Sequence, residues 1–114
     1  MAVCGVVADF AELIAAAKRE QPDLCLLDAA LAGRGYSQVA PILAATQGLR
    51  VVIMHGSASD TELLDAVTVG AAGHLPREMR ATALTAALRD VLAGRPAFPR
   101  RVEALLVGAL HPRR

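Results

Sequence analysis

The sequence has no tryptophan, one tyrosine and two phenylalanines among its 114 residues. A core must therefore be built from Leu, Val, Ile and Ala. Base stacking on aromatic platforms, a common way of holding single-stranded nucleic acid, is nearly excluded. Cysteine is scarce as well. Cys4 and Cys25 lie inside apolar stretches, supply neither a disulfide framework nor a metal-ligand spacing, and read as buried thiols. Neither sign of charge dominates. The formal net charge is +1, too balanced for an overall phosphate-binding surface. The basic residues that gather late, Arg95, Arg100, Arg101, Arg113 and Arg114, read as a solvated end. No apolar run reaches the roughly 18 to 20 residues of a membrane span. The start has no charged signal-peptide region and is interrupted by Asp9, so no membrane partner and a cytoplasmic location are expected. No glycine-rich phosphate loop, catalytic triad or dinucleotide fingerprint occurs, and the chain is not expected to be an enzyme.

What is present is a compact globular composition, 54% hydrophobic and 20% charged, of a length that suits one core. The apolar runs are of two kinds. "AVCGVVA" (2–8), "DLCLLD" (23–28), "RVVIM" (50–54) and the shorter "AGHL" (72–75) are brief. The first three do not alternate with polar residues, as in strands covered on both faces of a parallel sheet. Between them lie segments with helical spacing. Residues 9–20 put Phe10, Leu13, Ile14 and Ala17 on one face, with Asp9 and Glu12 as an N-terminal cap and Pro22 as the stop. Residues 36–47 form a weaker pattern, with Val39, Ile42 and Leu43 inward. Residues 60–69 follow a capping box of Ser59 and Glu62 and end at Gly70. Residues 80–93 carry Leu84, Ala87, Leu88, Val91 and Leu92 and close at Gly94 and Pro96. A last helix, 100–110, places Val102, Leu105, Leu106 and Leu110 on one side. Strands alternating with helices predict an α/β fold with a parallel sheet.

In such sheets, ligand chemistry gathers at the carboxyl ends of the strands. Asp28 ends the second run. His55, Gly56 and Ser57 follow the third, and Pro76 and Arg77 the fourth. Parallel strands would bring these points to one edge. A carboxylate can act as nucleophile, while a cation and nearby donors can hold phosphoryl oxygens. His74 reads as a strand-surface residue, His55 as a partly exposed loop residue and His111 as solvated. Together they make no zinc pattern.

"PDLCLLDAALAG", "RVVIMHGSAS" and "GAAGHLPRE", in that order and spacing, resemble the receiver domain of bacterial response regulators. The nearest subgroup carries a LuxR/NarL-type helix-turn-helix output, whose linker "AGRPAFPRRVEALL" resembles. The resemblance spans about residues 3–107. It implies a flavodoxin-like (CheY-like) parallel sheet flanked by helices and a place in two-component phosphorelay signalling. Asp28 falls at the phosphoacceptor position, and a histidine kinase or other phosphodonor is the implied partner. It implies phosphate contacts from the positions of His55 or Ser57 and of Arg77. It also implies Mg²⁺ held by an acidic pair ending the first strand, by Asp28 and by the backbone carbonyl of Ala30.

The chain departs from that pattern. Its first run matches the family's second strand, so the first strand, its acidic pair and the first helix have no counterpart. His55 stands at the hydroxyl position, Arg77 at the lysine position, Pro76 before rather than after the cation, and His74 in place of the switch aromatic. With only Asp28 and one carbonyl, weak Mg²⁺ binding is expected. Residues 1–96 are read as a receiver-like domain incomplete at its N-terminus, and 97–114 as a linker and C-terminal helix stub. No second domain is apparent, so the chain itself is not expected to read DNA in the helix-turn-helix manner. Two functional readings stand: a phosphate-accepting receiver, and a degenerate, phosphorylation-independent protein-binding or dimerisation module, or a gene fragment. A homodimer through open strand edges belongs to the second.

Overall fold

The structure is a computed structural model in which residues 10–110 are described. Among these residues three strands form a sheet: β1 (Leu24–Asp28), β2 (Arg50–His55) and β3 (Gly73–Pro76). All are parallel, in the order β1-β2-β3, with Leu27 beside Ile53 and Ile53 beside His74. The helices are α1 (Phe10–Glu20), α2 (Ala29–Ala32), α3 (Val39–Ala45), α4 (Asp60–Thr68), α5 (Ala81–Leu92) and α6 (Arg101–Leu110). The expected α/β alternation is present. Three parallel strands in sequence order match the third to fifth strands of the 2-1-3-4-5 arrangement.

Because side chains alternate along a strand, each apolar strand supplies both faces of the sheet. Val51 and Ile53 join Cys25, Leu27, Tyr36, Val39, Ile42 and Ala66 in one core. Val52 and Leu75 meet Leu88 and Val91 of α5 in the other. This double coverage explains the unbroken apolar runs. Leu26, on the α5 face of β1, is nearly half exposed.

Local signals account for most boundaries. Ser59 and Glu62 form the reciprocal capping box of α4. Gly70 and Gly94 take positive φ just beyond α4 and α5, where glycine meets no Cβ clash. The expected helix over 36–47 is shorter. Only 39–45 is α3, with Pro41 tolerated in its first turn. Before it come α2 and a 3₁₀ turn, Arg34–Tyr36. Positive φ at Gly33, Gly35 and Tyr36 interrupts helical geometry there.

After α5 the chain returns to the sheet at Ala97, whose carbonyl accepts from His74 N–H at 2.9 Å and whose N–H donates to Ala72 O at 3.0 Å. Gly73 permits this approach, since a Cβ there would lie 3.0 Å from Ala97 O. The α6 helix then packs against α4. Val102 is buried, Arg101 donates to Ala58 O at 3.2 Å and pairs with Asp60 at 3.5 Å, and Val107 and Leu110 remain exposed. The run "AVCGVVA", the Asp9 cap, Cys4, His111, Arg113 and Arg114 lie outside the described residues. No helix among the described residues is long and apolar enough to cross a membrane.

Candidate functional site

The carboxyl edge of the sheet gathers the strand ends that the sequence singled out. Asp28 closes β1 in an extended conformation and caps α2, its Oδ1 accepting the Ala30 N–H at 2.9 Å. Its Oδ2 receives Arg77 Nη2, also at 2.9 Å. Arg77 follows β3, so its side chain spans the width of β2 to reach the acid. Its backbone N–H donates to the His55 carbonyl at 2.6 Å, which fixes where the stem leaves the sheet. Gly56 leaves room beneath the guanidinium: a Cβ there would stand 3.3 Å from Nη1. Both side chains are about half exposed, 52% for Arg77 and 42% for Asp28, so water screens the pair and its net energy is small.

The other two candidates for phosphate contact lie apart from this pair. Ser57 is exposed in the loop between β2 and α4. His55 is the last residue of β2 rather than a loop residue, a correction that follows from its pairing with Pro76. Its ring stacks on His74, with centroids 4.2 Å apart and planes 21° apart. Among the described residues no side-chain hydrogen bond joins His55 or Ser57 to Asp28 or Arg77.

His74 is not on the strand surface as expected. It is 1% exposed, because it shares the Ile53 face of the sheet and is covered there. Its Nε2 lies 2.8 Å from the hydroxyl of Tyr36. Its Nδ1 and that of His55 are buried without a hydrogen-bond partner among the described residues. Burial, with His55 close by, holds the His74 pKa down to about 4. Burial also lowers that of His55, helped by Arg101. Burial pushes the Tyr36 hydroxyl up to about 12, helped by the charges of Glu62 and Asp65. Glu62 is held below the usual carboxylate range by its hydrogen bonds with Ser59. Tyr36 escaped the sequence reading. Its one available signal was the "GRGY" stretch, where two glycines precede the only tyrosine.

Mg²⁺ wants near-octahedral oxygen ligation, commonly from one or two carboxylates with waters and phosphate. Among the described residues no group of three or more His, Cys, Asp or Glu side chains is placed to hold a metal. At the edge, Asp28 already faces an N–H and a guanidinium. This donor set does not fit Mg²⁺.

No family model matches the chain. The chain is 32% identical over 109 residues, 95% of its length, to the DNA-binding transcriptional activator DevR/DosR of Mycobacterium tuberculosis, and it spans about half of that relative, 50%. The signal receiver domain of the response regulator NarL from Mycobacterium tuberculosis is 27% identical. It superposes with a TM-score of 0.73 over 82% of this chain and 77% of that one. A two-component response regulator of the LuxR family from Aurantimonas sp., 23% identical, shares the fold with a TM-score of 0.74 over 91% of this chain and 75% of that one. The chain is thus similar in sequence to DevR/DosR and to the NarL receiver domain, and it carries the flavodoxin-like fold of response-regulator receiver domains.

Proposed function

We propose that the chain works as a receiver module of a two-component system, with Asp28 as the phosphoacceptor and a histidine kinase or small phosphoryl compound as the donor. The observation that carries this reading is the Asp28–Arg77 pair. An acid from the end of β1 and a cation from the end of β3 meet at 2.9 Å on the carboxyl edge. An Asp28 oxygen attacks phosphorus. The O–P bond forms as the bond from phosphorus to the donor's leaving group breaks, and the leaving group departs with that electron pair and takes a proton. The guanidinium moves from the carboxylate to the transferred oxygens, for which its planar fork is suited. The exposed pair is weak enough to release the acid at small cost.

A second reading is a phosphorylation-independent protein-binding module. It is favoured by one observation: both Asp28 oxygens already have partners. Intact mass after incubation with acetyl phosphate, on wild type and Asp28→Asn, separates the two. A phosphoryl adduct on wild type alone supports the receiver. Its absence from a folded protein overturns that reading in favour of the second.

A further inference from the structure

We infer that Arg77 is a tethered counter-ion that stands in for a divalent cation at Asp28, so that this edge is charge-balanced without metal. The inference deepens the receiver reading and rests on it for its signalling meaning.

Four observations converge. Asp28 Oδ1 is engaged by the Ala30 N–H and Oδ2 by Arg77 Nη2, each at 2.9 Å. The neighbouring main-chain oxygen at the end of β2, that of His55, is engaged by the Arg77 N–H. The two groups facing the acid therefore present positive ends, where a metal needs oxygens. Gly56 supplies the seat, since a Cβ at that position would crowd Nη1 at 3.3 Å. Finally, the charges of Asp28 and Arg77 cancel, leaving an arriving cation no excess negative charge on this pair.

The pair is weak by itself because it is exposed. A divalent ion offered one carboxylate also binds weakly, since it must shed water for a single anionic donor. Tethering settles the competition in favour of arginine: the guanidinium is held on the same chain, and its association with Asp28 is intramolecular. Removing it should free Oδ2 and restore the acid's uncompensated charge.

The test uses Mn²⁺, a paramagnetic substitute for Mg²⁺, added to ¹⁵N-labelled wild type, Arg77→Ala, Arg77→Lys and the double variant Asp28→Asn/Arg77→Ala. Wild type and Arg77→Lys should show no selective loss of amide signals near residues 28–30. Arg77→Ala should lose them, and Asp28→Asn in the same background should bring them back. Selective broadening at 28–30 in wild type overturns the inference, as does an Arg77→Ala variant that stays unbroadened. The mass assay, run with Mg²⁺ and with a chelator, separates this inference from the receiver reading. An adduct that forms on Asp28 only with Mg²⁺ sinks the inference and leaves the receiver. No adduct under either condition sinks the receiver, and the Mn²⁺ result still decides the role of Arg77.

Discussion

The Tyr36 hydroxyl and His74 Nε2, 38 residues apart in the chain, meet at 2.8 Å inside the protein. Tyr36 is 3% exposed and His74 1%. Their contact ties the turn that follows α2 to the middle of β3. Tyr36 holds φ at 57°, a left-handed conformation that costs a residue with a Cβ about 1–2 kcal/mol. Burial of its ring and the bond to His74 hold it there. The turn at Tyr36 and strand β3 are thus joined inside the protein.

Tyr36→Phe keeps the ring and removes the hydroxyl, leaving His74 Nε2 buried without its partner. A loss of about 1–2 kcal/mol in unfolding free energy is expected, read from urea denaturation. A double-mutant cycle with His74→Phe should give a coupling energy of about 1 kcal/mol. No coupling would mean that packing alone seats the tyrosine.

Stability should depend on pH through the same pair. The folded pKa of His74, about 4, lies below its usual 6.5, so folding favours the neutral ring. That contribution is complete above pH 6.5 and is lost progressively as pH falls toward 4. Its size is on the order of 3 kcal/mol. His55 is shifted in the same direction. Tyr36, raised to about 12 from 10.0, acts on the alkaline side, its contribution being lost as pH rises from 10 toward 12. Unfolding curves across this range should show a plateau near neutrality. His74→Phe should flatten the acid limb, and an unchanged limb would place the titration elsewhere.

At Asp28, capping and ion pairing separate by substitution. Asparagine can still accept the Ala30 N–H, so Asp28→Asn should change stability by less than about 1 kcal/mol, the range of an exposed ion pair. Asp28→Ala also removes the cap and should cost about 1 kcal/mol more. Thermal melts of the two variants and of Arg77→Ala give the comparison directly. Equal effects of Asn and Ala would show that the cap contributes nothing.

Gly73→Val should cost about 1–3 kcal/mol by overpacking. Its Cβ would press on Ala97 O at 3.0 Å and Ala97 Cβ at 3.2 Å. The segment that follows α5 would be displaced from β3, and the α6 helix with it. Hydrogen exchange should report faster exchange at His74 and Ala97, whose N–H groups make the bonds across this contact. Unchanged protection would mean that the segment adapts in place.

Much of this arrangement was legible in local sequence. Unbroken apolar runs marked strands covered on two faces; β2 is such a strand, whereas β1 is well covered on one face only, Leu26 being nearly half exposed on the other. Ser59 and Glu62 announced the start of α4 because a capping box is satisfied within four residues. The placement of Asp28 and Arg77 at one edge followed from strand ends in a parallel sheet. The helix expected over 36–47 was misread at its start, because positive φ at Tyr36 depends on what its ring packs against. His74 looked exposed because "AGHL" is too short to show which face is covered.

By itself, then, the sequence determined what rests on neighbours in the chain: the alternation of strands and helices, most of their boundaries, and an acid and a cation placed at strand ends. The tertiary structure alone decided what those residues touch. Arg77 meets Asp28 because β1 and β3 flank β2 at a distance a long side chain can span. His74 is buried because Tyr36 folds over it from 38 residues away. Periodicity and capping are written in a few adjacent residues, whereas such contacts arise only when the whole sheet and its covering helices are in place.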